Sequence, residues 1–265
     1  SEPPVAAPAT ILAAGDIGMC DQPAPELTAQ ILDRNPGIVL ALGDLAYPNG
    51  SFSQFARCYA PNWGRHRDRT RPAPGNHDYE TANAAPYFAF FEDLAGPPGD
   101  GYYSFVAGGW RIISLNSNVA AGPGSPQHAW LQRELEQPAR CTLAYWHHPL
   151  ISSGPNGDNP NLKPLWELLY AAGAEVVLVG HDHIYERYVP QTPDGQLDRD
   201  RGIRQFIVGT GGATLTRVVS VRPNSAVRHV GNGVLKIRLS ADRYEWEFLP
   251  VEGQPFSDVG FDLCH

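Results

Sequence analysis

Five of the nine histidines in this chain, His77, His147, His148, His181 and His183, stand in turns bounded by glycine or proline, and two aspartates, an asparagine and a tyrosine stand in turns of the same kind. The turns read Gly15-Asp16-Ile17-Gly18, Gly43-Asp44-Leu45-Ala46-Tyr47, Gly75-Asn76-His77-Asp78, His147-His148-Pro149 and Gly180-His181-Asp182-His183. Singly, each has an ordinary explanation. A Gly-Asp turn makes an Asx-turn or a helix cap, and His-x-His on a strand shares one face whether or not a metal is present. As a set they offer more. Asp16, Asp44, Tyr47, Asn76 and three of the histidines supply about seven oxygen and nitrogen donors, too many for one tetrahedral zinc and enough for two ions if one carboxylate bridges. Oxygen and imidazole ligands suit Fe, Mn and Zn, and a phenolate from Tyr47 favours a trivalent ion such as ferric iron. Two ions roughly 3.5 to 4 Å apart form a clamp for in-line displacement at phosphorus.

Such a set needs elements that end in one place. Short, nearly continuous apolar runs precede glycine turns at Thr10 to Gly15, Gly37 to Gly43, Thr142 to Trp146, Glu175 to Gly180 and Arg204 to Gly209. They read as strands buried on both faces. Helical patterns lie between them: Glu26 to Arg34, a helix capped by Ser125-Pro126 that carries Trp130, Leu131 and Leu135, and one carrying Leu162, Leu165, Trp166 and Leu169 that Gly173 ends. The alternation predicts an α/β chain with largely parallel strands, whose carboxyl ends form the crevice where ligands bind. Two hairpins, Tyr102 to Phe105 with Trp110 to Leu115, and Val234 to Ser240 with Tyr244 to Phe248, add antiparallel strands and predict two mixed sheets. The loops Ser152 to Asn161 and Gln191 to Gly202 are expected rims of the site.

Composition limits the rest. With 42% hydrophobic and 18% charged residues, the 265-residue chain can bury a full core. Its longest apolar runs fall far short of the ~20 residues that a membrane span needs. A net charge of −8 with two lysines argues against a surface that binds nucleic-acid backbone; no membrane association is expected either, and no protein partner is inferred. Residues 1–9 form a Pro/Ala-rich lead, expected to be flexible, before a single catalytic domain over 10–265. The lead and the missing initial methionine fit a mature end after a removed signal or a trimmed chain. Four cysteines allow three pairings as two disulfides, or four free thiols. Cys20 with Cys58, each just past an early strand end, and Cys141 with Cys264, each flanking a late strand, are preferred, and disulfides point to a secreted or periplasmic protein. Asn49-Gly50-Ser51 is a short glycosylation pattern.

In this order the five blocks resemble the calcineurin-like metallophosphoesterases. Tyr47 of the second block, the run His181-Asp182-His183-Ile184-Tyr185-Glu186-Arg187 and the stretch Ile207-Val208-Gly209-Thr210-Gly211-Gly212 are similar to the purple acid phosphatases. The resemblance implies a four-layer α/β/β/α sandwich of two mixed sheets flanked by helices. It implies that Asp16, Tyr47 and His183 bind Fe(III), that Asn76, His147 and His181 bind a divalent ion (Fe, Zn or Mn), and that Asp44 bridges the two. His147 is taken over His148 because the family's ligand is followed by one residue and then proline, here Pro149; His148 is left with packing or a supporting hydrogen bond. His77 resembles the histidine that faces substrate, binding a phosphate oxygen or protonating the leaving group.

The implied function is an acid phosphatase that hydrolyses small phosphate monoesters by attack of a hydroxide held by two metals. A phosphodiesterase or nucleotidase on the same scaffold is the alternative, and a phosphate-binding protein without turnover a further one. Three departures from the family pattern stand out. Many relatives carry an N-terminal β-sandwich domain, and none is expected before Asp16 here. Plant-type members have a further histidine where this chain reads Ser152 to Asp158. Asp78 stands where many relatives have glutamate.

Overall fold

The computed structural model describes residues 6–265, so the predicted lead falls outside the described residues as far as Val5. In one sheet β1 (Ala9–Ala14), β2 (Ile38–Leu42) and β3 (Thr70–Ala73) run parallel. In the other β5 (Trp110–Ser114), β6 (Thr142–Tyr145), β7 (Val176–Val179) and β9 (Arg204–Val208) run parallel. Antiparallel strands extend both. β11 (Gly233–Ser240), β12 (Arg243–Pro250) and β13 (Val259–Leu263) continue from β1, giving the order β13-β12-β11-β1-β2-β3. β4 (Tyr103–Ala107) flanks β5, while β8 (Tyr185–Tyr188) and β10 (Ser225–His229) flank β9, giving β10-β8-β9-β7-β6-β5-β4.

The pleat sorts the side chains of the second sheet. Leu143, Tyr145, Val176, Leu178, Phe206 and Val208 join Ile11, Leu12 and Leu40 in a core between the sheets. Their neighbours Ala144, Val177, Val179 and Ile207 turn the other way, onto Leu131, Leu165, Trp166 and Leu169 of the helices Pro126–Glu136 and Lys163–Ala171. Strands covered on both faces have to be apolar at nearly every position, which is the signal the sequence carried. Ser125 caps the first of these helices by accepting from the His128 N–H at 3.2 Å, with Pro126 opening it. Helix Ala24–Arg34 supplies Ala29, Ile31 and Leu32 to the core beside the six-stranded sheet. Two mixed sheets between helices are the four-layer α/β/β/α architecture expected.

Four strands, β3, β8, β10 and β13, carry no clear sequence signal. β3 reads Thr70-Arg71-Pro72-Ala73 and tolerates its proline because it lies at a sheet edge, where one side of the backbone needs no ladder partner. Both preferred disulfides form. Cys20–Cys58 joins the loops after β1 and β2, with Cα atoms 4.5 Å apart. Cys141–Cys264, at 5.7 Å, ties the start of β6 to the end of β13 and so links the two sheets.

Beside that second disulfide Glu175 is buried, with Oε2 accepting from the Thr142 N–H at 2.6 Å and Oε1 unpartnered. Burial pushes its carboxyl from an ordinary 4.5 up to about 7. The folded state therefore keeps the proton while the unfolded chain loses it first, and stability falls as pH rises from about 4.5 to about 7. Glu175→Gln keeps an acceptor for Thr142 without the charge. The stability difference between wild type and Glu175→Gln, from urea titrations at pH 4.5 and pH 8, should shift against wild type by about 3 kcal/mol. A constant difference would show that Glu175 ionises normally.

Candidate metal centre

The parallel strands of both sheets end at one spot. Asp16 follows β1, Asp44 to Tyr47 follow β2, Asn76 and His77 follow β3, His147 and His148 follow β6, and His181 and His183 follow β7. Cross-sheet bonds fix the meeting: the Gly15 N–H donates to Val208 O at 2.8 Å and the Gly211 N–H to Gly15 O at 2.9 Å. Asp16, Asp44 and His181 adopt positive φ, at 59°, 54° and 71°, a region that costs most residues energy and that Asp, Asn and His enter more readily. The turn aims each side chain inward.

Each aspartate divides its work between two oxygens. Asp16 Oδ2 accepts the His181 backbone N–H at 2.8 Å, while Oδ1 lies 3.0 Å from Tyr47 OH and 3.3 Å from His183 Nε2. Asp44 Oδ1 accepts the His77 N–H at 2.8 Å, while Oδ2 lies 3.1 Å from Tyr47 OH and 3.2 Å from His147 Nε2. Around His147 Nε2 stand Asn76 Oδ1 at 3.1 Å and His181 Nδ1 at 3.2 Å. All seven residues expected as ligands are thus brought together, in two groups. Asp16, Tyr47 and His183 form one, Asn76, His147 and His181 the other, and Asp44 Oδ2 lies between them.

The donor chemistry fits cations. His147 Nδ1 lies 2.8 Å from Leu42 O and His183 Nδ1 lies 2.7 Å from Thr214 O. A carbonyl only accepts, so each Nδ1 carries the hydrogen and each Nε2 turns a lone pair into the centre, the form in which histidine ligates. The His147 lone pair then faces two acceptor oxygens, Asn76 Oδ1 and Asp44 Oδ2, with His181 Nδ1 beside them; a cation resolves that crowding. Without one, protons take its place. Burial disfavours charge on His147, but Asp44 and then Asp16 outweigh it and raise the imidazole to about 9; Asp16 likewise raises His183 to about 9 against burial. Burial and the His147 charge lower His181 to about 4. Burial, Asp16 and Asp44 raise the Tyr47 phenol well above its usual value.

Supporting residues explain the turns. Asp78, fully buried, accepts from the Leu45 N–H at 3.1 Å and the Gly75 N–H at 2.8 Å, binding the second turn to the third, and burial and the Asp44 charge raise its carboxyl to about 7. Asp182 accepts from Ser152 Oγ and, at 3.0 Å, from the Asn156 N–H, so the loop Ser152 to Asn161 does border the centre. Gln191 to Gly202 does not. Its side chains reach the helix Lys163–Ala171 instead, through Asp194 to Lys163 and Asp198 to Tyr170. His148, read from sequence as packing or a supporting hydrogen bond, lies 2.8 Å from Ser117 Oγ through Nδ1 and has its ring 4.3 Å from that of His181. Neither Asp182 nor Ser117, which holds His148, carries a signal of its own in the sequence, because hydroxyls and lone carboxylates are common in loops.

Residues 9–185 match the family described as calcineurin-like phosphoesterase. Purple acid phosphatase 15 of Arabidopsis thaliana is 29% identical over 222 residues, covering 69% of this chain and 42% of that protein. A purple acid phosphatase from yellow lupin seeds superposes with a TM-score of 0.84 at 20% identity, over 97% of this chain and 54% of that one. GAP50, the anchor in the inner membrane complex of Plasmodium, superposes at 0.73 and 14% identity, over 95% of this chain and 88% of its own. The chain spans about half the length of the curated relatives it matches.

Gly75 has no side chain, yet the centre depends on it. A Cβ there would overlap the Asp44 carboxylate and backbone N. Gly75→Ala should therefore displace the shared carboxylate, and elemental analysis after gel filtration should find metal content at half or less of wild type in a folded protein. Full metal content would show that the third turn can move aside.

Proposed function

Because the chain belongs to the calcineurin-like phosphoesterase family, we propose that it is a metal-dependent phosphoester hydrolase acting on small phosphate monoesters, a reading supported by its similarity to proteins named purple acid phosphatases. One observation carries the reading: two groups of inward-facing donors meet at one carboxylate oxygen, Asp44 Oδ2, which lies 3.1 Å from Tyr47 OH of the first group and 3.2 Å from His147 Nε2 of the second. Asp16, Tyr47 and His183 would hold one ion, Asn76, His147 and His181 the second, and Asp44 both. The phenol of Tyr47 favours Fe(III) in the first group; the neutral Asn76 group suits a divalent Fe, Zn or Mn ion. When bound, the ions supply positive charge to the phosphoryl oxygens and Lewis acidity to an attacking water.

The chain's own residues do the rest. Backbone N–H groups of His77 and His181 hold one oxygen of each aspartate, so the other is oriented before substrate arrives. His77 stands at the mouth with its side chain 36% exposed and Nδ1 2.6 Å from Pro48 O. The carbonyl takes the Nδ1–H and fixes the ring, so Nε2, 3.9 Å from Asp44 Oδ2, gives a hydrogen bond to a phosphoryl oxygen or a proton to the leaving group in the imidazolium form. The two disulfides fit a secreted or periplasmic setting.

Purified protein should contain about two metal ions per chain and hydrolyse p-nitrophenyl phosphate faster than its diester analogue and faster than nucleotides. Preference for a diester or nucleotide would reassign the substrate class, and no turnover with two ions bound would leave a phosphate-binding protein. His77→Ala should lower turnover by ~10² to 10⁴ with metal content unchanged. Unchanged turnover would remove His77 from the reaction. If Tyr47 ligates Fe(III), a charge-transfer band colours the protein and Tyr47→Phe bleaches it; a colourless wild type with ferric iron present would refute the ligation.

A further inference from the structure

His148 lies outside both donor groups, and its surroundings give it a separate task. It follows β6, with Ser117 after β5 on one side and His181 after β7 on the other, since the three strands are neighbours in that order. Ser117 Oγ accepts the His148 backbone N–H at 3.1 Å and lies 2.8 Å from His148 Nδ1. A hydroxyl has one proton to give, and with Oγ already accepting the His148 N–H, donation to Nδ1 uses both its accepting and its donating capacity. With the Nδ1 lone pair engaged, the ring hydrogen of the neutral imidazole sits on Nε2, across the ring from Ser117. That side faces the centre: the ring lies 4.3 Å from His181 and 4.9 Å from His147, and a nitrogen of each of the three falls within 4.8 Å of the others. Trp146 Nε1 donates to His148 O at 2.6 Å and pins the backbone.

A protonated Nε2 has no lone pair for a cation, so this tautomer makes His148 a donor beside the Asn76 group rather than an eighth ligand. We propose that His148 is a substrate-contacting residue whose Nε2–H donates a hydrogen bond to an oxygen of the phosphoryl group, and that Ser117 is the positioning residue that sets its tautomer. The inference rests on the phosphohydrolase reading above. It adds a side-chain contact on the β6 side of the phosphoryl group, away from His77, which stands on the β3 side.

Wild type, His148→Ala, His148→Gln and Ser117→Ala are compared for metal content, kcat and KM on p-nitrophenyl phosphate, and inhibition by inorganic phosphate. His148→Ala should keep about two ions, lose ~10² in kcat/KM and bind phosphate at least about tenfold more weakly. His148→Gln, whose amide N–H reaches a similar position, should recover much of both, and Ser117→Ala should lose several-fold. Loss of an ion in His148→Ala would make His148 a ligand, and unchanged turnover and inhibition would make it a spectator. Should His148→Ala fail to fold, His148→Gln and Ser117→Ala decide. A wild type with two ions and no turnover would overturn the hydrolase reading instead, while phosphate binding to the four proteins would still test the His148 contact.

Discussion

Two carboxylates buried from water, Asp16 and Asp44, form no ion pair with any lysine or arginine among the described residues, and the surrounding structure answers to the need to balance them. A buried anion without a partner is costly, so positive charge has to be brought to it. A permanent arginine or lysine would fill the space and settle the balance for good. Histidines held by backbone carbonyls leave the balance to an exchangeable cation, with protons in its stead when none is bound. The arrangement is stable only with something positive inside, which is the condition for a centre that loads metal.

Meeting that need takes geometry that no single turn provides. Asp16 and Asp44 come from one sheet and His147, His181 and His183 from the other, so the donors assemble only if the carboxyl ends of both sheets face each other. The core between the sheets sets their separation, and the Gly15 and Gly211 backbone bonds lock the ends. Left-handed backbone at three ligands is strain that these bonds hold in place. Asp78 and Asp182 extend the same logic outward, one joining the second turn to the third, the other joining the His181 turn to the loop Ser152 to Asn161.

The fold alone does not name an activity. A Plasmodium anchor protein shares the architecture over most of its length, so the case for hydrolysis has to come from side chains. Here it comes from the paired donor groups around Asp44 Oδ2 and from His77 and His148, two imidazoles that stand at the centre without belonging to either group.

The sequence by itself made most of the elements and the candidate donors legible. Strands covered on both faces must be continuously apolar, so β1, β2, β6, β7 and β9 were legible, and glycine turns at their ends marked where chemistry could sit. Both disulfide pairs also followed from position along the chain. Three of the four edge strands, β3, β10 and β13, were not legible, while β4 was marked by its hairpin. β3 carries a proline and β13 exposes alternate residues, because an edge makes weaker demands on its sequence. Tertiary structure alone decided which atoms face which. That Asp44 presents Oδ2 and not Oδ1 to both groups, that Leu42 O and Thr214 O set the tautomers of His147 and His183, and that Ser117 turns His148 toward the centre all depend on contacts between residues 31 to 105 positions apart. Hydrogen-bond direction at a histidine is set by the neighbour that folding supplies, and local sequence holds no record of that neighbour.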